Sequence, residues 1–577
     1  MQKEFSLSNE KAMINFTAKY CDNAEALFDS YGFARVLGAY LDKIKRRETR
    51  TYRYLISNLK DDKNLQCNLT KIFKLLMVLK ADEIVKFNPM YEKLLEDKDK
   101  FIALIEDLYN FWRKLERYTI VQNHKTGDGL QNVSFIEANE KFSKLILDTY
   151  RKAEENVIGE KPRVYRQLPA GGNAALILNE SKWICPPGYE KLENIPFIQT
   201  VILDPPFIIY PKKNTRDGMF TEITTNPLED CSVNPDHWFC YPAKVGTLLA
   251  YIYFHRDFMA HGVTLCNLFE IATEEQYAGK SPDIVYVFGA RDNSPDKRTV
   301  FYDDEGNGIM LGYINYSEDI DYFGYMKKMT LTLHNLIMIK RGFIPIHGAM
   351  VNIVTKDNKI ANVIIMGDSG AGKSESLEAL RKLGDNYISD MTIIFDDMGV
   401  VKLNRDEKPL GYGTEIGAFV RLDDLDTGYA FRQIDRSIFM NPDKINARLV
   451  IPVATYKEIT AGYPVDLFLY ANNYEEGEEL EFFNSADEAL AVFKEGARMA
   501  KGTTTEKGLV KSYFANPFGP AQKEKDMDVL LQRYFDKFFE TGVKVGQLRT
   551  CLGITGMEKS GPLKAAVKLL EVIKSLK

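Results

Sequence analysis

The spacing of apolar residues changes character near residue 160. Before that point they recur every three or four positions among Lys and Glu, in the stretches around 24–46, 70–80, 101–117 and 135–156. That period matches a helix with one buried face, so these stretches predict helices. After it, apolar runs shorten and are bounded by Pro and Gly, as in Phe197-Ile198-Gln199-Thr200-Val201-Ile202-Leu203 and Phe207-Ile208-Ile209-Tyr210. Such runs predict strands of a mixed sheet. Asp283-Ile284-Val285-Tyr286-Val287-Phe288 predicts a buried strand, and Tyr325 to Ile339, dense in Met and Leu, predicts a helix. Val363-Ile364-Ile365-Met366 predicts another strand and Glu375 to Leu383 another helix. The expected fold class is α/β in three parts: a helical accessory region (1–160), a mixed α+β lobe (161–340) and a nucleotide domain (341–577). The helical part carries no catalytic candidate and is expected to be an accessory module, or one through which the chain forms homo-oligomers.

Between the strand ending at Met366 and the helix after it lies Gly367-Asp368-Ser369-Gly370-Ala371-Gly372-Lys373-Ser374, which fits GxxxxGK[ST]. In that context the pattern is a P-loop. Its glycines let the backbone turn so that N–H groups face phosphate oxygens, and the helix N-terminus adds positive potential. Lys373 suits a transferred phosphoryl group, and the Ser374 hydroxyl suits Mg²⁺. Such a site also needs a carboxylate for its metal. Asp390, ending Asn386-Tyr387-Ile388-Ser389-Asp390, is the leading candidate; Asp396 and Asp397 form a second acidic pair, read either as a turn before Gly399 or as a second metal or ribose site.

Composition narrows the partners. The 577 residues exceed what one core usually organises. Hydrophobic residues at 45% and charged residues at 27% predict a chain folded nearly throughout. A net charge of -6 gives no overall attraction for nucleic acid or anionic lipid, so a small molecule is the expected partner. The seven cysteines include no CxxC pair, which argues against structural zinc and fits reduced thiols. No signal-like core follows Met-Gln-Lys-Glu-Phe, and no run of about eighteen apolar residues occurs, so a cytoplasmic protein is expected.

Upstream of the P-loop, Tyr322-Phe323-Gly324-Tyr325-Met326-Lys327-Lys328 is followed, nineteen residues after Lys328, by His347 in Pro345-Ile346-His347-Gly348-Ala349. Downstream come Asn446-Ala447-Arg448-Leu449-Val450-Ile451-Pro452, Lys501-Gly502-Thr503-Thr504-Thr505-Glu506-Lys507-Gly508 and Phe514-Ala515-Asn516-Pro517-Phe518-Gly519. Taken singly, His347 reads as a structural histidine, Lys327-Lys328 as a solvated helix face and Arg448 as an ion-pairing residue. Taken together with the P-loop, over roughly residues 285–520, they resemble the phosphoenolpyruvate carboxykinase family.

The resemblance implies a substrate lobe joined to a P-loop nucleotide domain, with ATP or GTP, Mn²⁺ and Mg²⁺ as cofactors. It implies that Lys328, as a neutral amine, His347 and Asp390 bind the transition metal. Lys327 and Arg448 would clamp the phosphoryl group, Tyr322 would line the substrate pocket, and Lys373 with Ser374 would hold nucleotide and Mg²⁺. The implied reaction interconverts oxaloacetate and phosphoenolpyruvate. The family's substrate-gripping arginine falls on Arg291 in Gly289-Ala290-Arg291-Asp292-Asn293-Ser294-Pro295-Asp296-Lys297, which has two extra residues between Arg and Ser and ends thirty residues before Lys327. Ser389-Asp390-Met391 offers one aspartate where the family has two. The P-loop with His347-Gly348 ahead of it is also similar to HPr kinase/phosphorylase, which implies the alternative of a kinase acting on another small metabolite or a protein serine, with Asp390 as base. Pyrophosphate is a further candidate donor.

Overall fold

The computed structural model describes the chain except residues 1–3, 17–20, 60–63, 123–130, 161–168, 181–182, 295, 358, 369, 385–386, 423–433, 435, 501–507 and 577. It is a mixed α/β protein in two units: residues 1–179 with 198–207, and residues 180–197 with 208–577. No boundary falls near 340, because one helix there is core to strands on both sides of it in sequence. Among the described residues no helix is long and apolar enough to cross a membrane.

The first unit is less purely helical than its apolar period predicts. Eight α-helices run from Ala24–Asp29 (α1) to Gln131–Ile158 (α8), including the expected amphipathic ones at Tyr31–Arg46 (α2) and Lys98–Lys114 (α7). They enclose a core of Leu37, Leu55, Leu69, Phe73, Leu94 and Phe101. The unit also holds strands Phe5–Ser8 (β1), Lys11–Asn15 (β2), Glu116–Gln122 (β3) and Ala174–Asn179 (β4); β2, β3 and β4 pair in parallel, and β1 pairs antiparallel to β2. These strands are short and flank long helical stretches, so their period-two signal is weak.

The second unit has two large sheets. In the first, Trp238–Val245 (β5), Leu248–His255 (β6), Ile284–Ala290 (β7), Thr299–Asp304 (β8) and Ile309–Asn315 (β9) lie in the order β5-β6-β7-β9-β8, with β6, β7 and β9 mutually parallel. Helix α9 (Phe323–Lys340) is buried nearly all round, which explains why Met and Leu occupy every side of it. Gly312 on β9 admits it: a Cβ there would lie 2.7 Å from Leu333 Cδ1 and 3.0 Å from Met329 Cγ.

The second sheet contains Ile344–Thr355 (β10), Ile360–Met366 (β11), Ile388–Leu403 (β12), Pro409–Gly413 (β13), Leu467–Asn472 (β17), Leu480–Phe482 (β18) and Lys544–Arg549 (β19), in the order β13-β12-β10-β11-β17-β19-β18. Three further strands, Gly417–Arg421 (β14), Ile438–Met440 (β15) and Arg448–Pro452 (β16), form a smaller sheet, with β16 between the other two. Strand β11 is an unbroken apolar run from Val363 to Met366 because both its faces are covered there. Val363 and Ile365 pack with Leu377, Leu380 and Leu569 from helices Lys373–Gly384 (α10) and Ser560–Ser575 (α13). Ile364 and Met366 pack on the other side with Phe493, Phe535 and Phe538 from Ala486–Glu495 (α11) and Glu524–Glu540 (α12). Phe468 is the centre of that side, its ring 4.8 Å from Phe493, 5.9 Å from Phe535 and 4.9 Å from Phe538. Phe468→Ala is therefore expected to cost about 3–5 kcal/mol of stability, read as a lowered midpoint in urea denaturation with an unchanged slope.

Candidate phosphoryl-transfer site

Glycine geometry builds the P-loop. Gly370 (φ +81°) and Gly372 (φ +95°) occupy backbone conformations that favour glycine. A Cβ on Gly372 would also lie 2.5 Å from the Thr550 hydroxyl oxygen. Lys373 opens α10 and folds back over the loop, its ammonium donating to the carbonyls of Gly367 (2.7 Å) and Asp368 (3.0 Å). Asp368 is fixed in turn by the Arg498 guanidinium at 2.9 Å. Ser369 lies outside the described residues.

The register of the second sheet decides which aspartates meet this loop. In the β10/β12 pair, His347 faces Met398, Gly348 faces Asp397 and Ala349 faces Asp396, while the Gly367 N–H donates to the His347 carbonyl at 3.0 Å. Asp396 and Asp397 therefore stand beside the loop, and the Ser374 hydroxyl lies 3.5 Å from Asp396. Asp390 pairs with Val354, six residues beyond the Gly348 partner of Asp397 along β10 and so about 20 Å away. It is exposed, and its carboxylate caps the Met391 N–H. The metal-ligand and base roles expected of Asp390 are corrected accordingly: strand pairing carries it away from the loop and brings the 396–397 pair in.

Asp397 is the hub. Lys327 Nζ is 2.6 Å from its Oδ2, Lys328 Nζ donates to Oδ2 at 2.7 Å and Oδ1 at 2.9 Å, and His347 Nε2 lies 3.0 Å from Oδ1. Its backbone is unusual for a non-glycine residue, with φ +154°. Burial works to raise the Asp397 carboxyl, but the two lysines and His347 pull it well below the carboxylate range. Burial also lowers the Lys328 ammonium and the His347 imidazolium. Lys327 is held above its ordinary value: burial opposes the charge, and Asp397 and Glu415 more than offset it. Asp396, buried beside Asp397, is pushed up.

The histidine reveals what this hub suits. Its Nδ1 donates to the Ala515 carbonyl at 2.9 Å, because a carbonyl can only accept. That puts a proton on Nδ1 and leaves Nε2 as the ring nitrogen that meets Asp397, in a hydrogen bond of 3.0 Å. An imidazole whose charged form burial disfavours and a carboxylate this close, with an amine of lowered pKa alongside, could hold a divalent cation, and the Ala515 carbonyl would be the outer partner that orients such a histidine. Among the described residues no group of three His, Cys, Asp or Glu side chains gathers as a metal site. Here the third side chain at the cluster is a lysine.

Beside the hub, Lys327, Arg448 and Tyr322 surround the ring of Phe419, with Lys327 Nζ at 5.6 Å, the Arg448 guanidinium at 5.2 Å and the Tyr322 ring at 6.0 Å from its centre. Tyr322 is hydrogen-bonded to Arg448. Arg291 does not join them. It is exposed at the end of β7, its guanidinium 4.6 Å from the ring centre of Tyr316. A run of rings from Tyr316 through Phe258, His261 and Phe323 separates it from Phe419. The carboxylate-gripping role expected of Arg291 is corrected for that reason. No protein-family model matches the chain, and no curated protein matches it.

Two residues at the site escaped the sequence reading. The half-buried Arg216 lies between the rings of Phe220 (5.1 Å) and Phe518 (5.3 Å), and Lys328 sits 4.4 Å from the same Phe518 ring. Its loop is zipped to the one before Arg448: Asn441 donates to the Pro211 carbonyl, Asn446 to that of Asn214, and Asn214 to that of Ile445. Nothing local in Lys212-Lys213-Asn214-Thr215-Arg216 signals this. The other is Glu415, wholly buried and 3.2 Å from Lys327, whose carboxyl burial pushes up to about 7. It is the one charge between Lys408 and Arg421, inside a glycine-rich stretch, and that isolation was the available signal.

Acid should destabilise the fold through its buried histidines, with the raised Glu415 carboxyl working in the opposite sense. Burial lowers His255 and His334 to about 4 and lowers His347 as well. The unfolded chain binds these protons from about pH 6.5 downward while the folded chain refuses them, so the stability is full above pH 6.5 and is lost as pH falls toward 4. Each histidine contributes at most about 1.4 kcal/mol per pH unit. Melting temperature measured across pH 7 to 4 should fall steadily in that window; a flat profile to pH 4 contradicts neutral burial.

Proposed function

We propose that this protein is a metal-dependent phosphoryl-transfer enzyme of carboxykinase type. It decarboxylates oxaloacetate and phosphorylates the resulting enolate from a nucleoside triphosphate, giving phosphoenolpyruvate, CO₂ and the nucleoside diphosphate. One observation carries the reading: Lys328 and the Nε2 of His347 converge on Asp397 next to the Ser374–Asp396 pair at the P-loop.

On this reading the P-loop N–H groups and Lys373 hold the donor phosphates, and Ser374 with Asp396 would hold Mg²⁺. Lys328, His347 and Asp397 would hold a transition metal such as Mn²⁺. Bound there, that ion supplies a Lewis acid for charge developing on a substrate oxygen. Lys327 and Arg448, neighbours over Phe419, take the transferring phosphoryl group between them. Arg216 takes the substrate carboxylate, the task the family resemblance gives to Arg291, and its aromatic flanks strengthen that contact by excluding water. In fold terms, residues 208–322 correspond to a reduced substrate lobe and the second sheet to a carboxykinase-like nucleotide domain. A second reading draws on the displaced Arg291: a kinase on the same core with a hydroxylated acceptor, for which Asp397 is the available base.

The deciding assay crosses Mn²⁺ and Mg²⁺ with ATP, GTP and pyrophosphate, and follows CO₂ release from oxaloacetate against donor consumption. The carboxykinase reading expects the two in equal amounts; donor consumption supported by a hydroxylated acceptor and not by oxaloacetate selects the kinase. Lys373→Ala and Asp397→Asn should each reduce turnover roughly 100-fold or more. Arg216→Ala should raise KM for oxaloacetate about tenfold or more, while Asp390→Asn and Arg291→Ala stay within about twofold of the parent.

A further inference from the structure

Glu415 is a buried acid whose presence the reading so far leaves unexplained. Neither of its oxygens has a hydrogen-bond partner among the described residues, and Lys327 is its ion-pair partner there, at 3.2 Å. Lys327 already has Asp397 at 2.6 Å. A second carboxylate adds little to holding that ammonium, yet burying one is costly. The chain nonetheless builds a tight loop to deliver it: the Thr414 hydroxyl donates to the Met398 carbonyl at 2.8 Å, and the Ile416 N–H donates to that of Leu268 at 2.7 Å. Gly413 and Gly417 flank the loop where a Cβ would lie 2.2 Å from the Ile394 oxygen and 1.8 Å from the Asn267 oxygen.

Asp397 is over-subscribed. Its two oxygens serve Lys327, Lys328 and His347. A divalent cation needs those oxygens, and a second ammonium left 2.6 Å away would compete with it. Lys327 is wholly buried, so it has no water to retreat to. Among the described residues, Glu415 is the one carboxylate besides Asp397 paired with it.

We propose that Glu415 is a positioning residue that serves as the exchange partner of Lys327: when a divalent cation takes the Asp397 carboxylate, Lys327 moves from Asp397 to Glu415, keeping a counter-ion. The inference rests on the reading that Lys328, His347 and Asp397 hold a metal. It makes Glu415 a determinant of metal affinity although it touches neither metal nor substrate, a role common for outer partners of metal ligands.

The test is Mn²⁺ alone, titrated into the full-length chain, with free Mn²⁺ read by electron paramagnetic resonance, so no substrate is required. Glu415→Gln should bind Mn²⁺ about tenfold more weakly, since Lys327 then stays on Asp397. The double variant Lys327→Met with Glu415→Gln removes the competing ammonium and should bind at least as tightly as the parent. Equal affinity of Glu415→Gln and the parent overturns the proposal, and so does a double variant as weak as Glu415→Gln. Should Glu415→Gln fail to fold by thermal melting, the double variant decides alone, and weaker binding than the parent refutes the exchange. Asp397→Asn separates the two levels: if the parent binds no Mn²⁺, or Asp397→Asn binds it normally, the metal reading fails and the exchange falls with it.

Discussion

One carboxylate organises the second unit. Asp397 is shared by two lysines from α9 and a histidine from β10 while its own backbone belongs to β12. A charge buried away from water is tolerable only when paired and hydrogen-bonded, so these three elements must approach closely and in one register. On its other edge β10 lies equally close to β11, where a Cβ on Gly348 would lie 2.6 Å from the Ile365 oxygen. The same register sets His347 against the P-loop, since the Gly367 N–H bonds its carbonyl. His347, Asp397 and the glycine-rich loop are thereby held together by neighbouring strands of one sheet.

Around that hub the cations are distributed by loops. Arg448 comes from the start of β16, and Arg216 from a segment joined to the neighbouring loop through Asn441, Asn446 and Asn214. Asn441 and Asn446 adopt positive φ (47° and 63°), which asparagine tolerates better than most residues. Aromatic faces of Phe419, Phe220 and Phe518 hold these cations in place without neutralising them. The charge stays available to an anionic ligand, as a clamp requires.

Much of the fold was legible. Long helices such as α2 and α7, the buried run of β11 and the all-round apolar α9 follow from periodicity, because burial on one face or on all faces leaves a direct trace in residue spacing. Strands β1 and β2 of the first unit were not legible, since they have four and five residues, too few to display a period beside strong helical signals, whereas the predicted strand Phe197–Leu203 is present. The expected break near 340 failed because α9 packs on β9 before it and β10 after it, a relation that no sequence boundary records.

The site divides in the same way. By itself the sequence determined the glycine-rich loop at 367–374, because backbone turning and helix-terminal charge demand particular residues at fixed short spacings; Lys327-Lys328, His347 and Arg448 stood out only through the family resemblance. Only the tertiary structure decided which aspartates stand beside the loop: the β10 partners of Asp390 and Asp397 are six residues apart, which separates the two by about 20 Å. Only the structure set Arg216 beside Phe518 and Lys328 and brought Glu415 to Lys327, since long-range electrostatic partners meet through packing between distant segments, and packing leaves no local pattern to read.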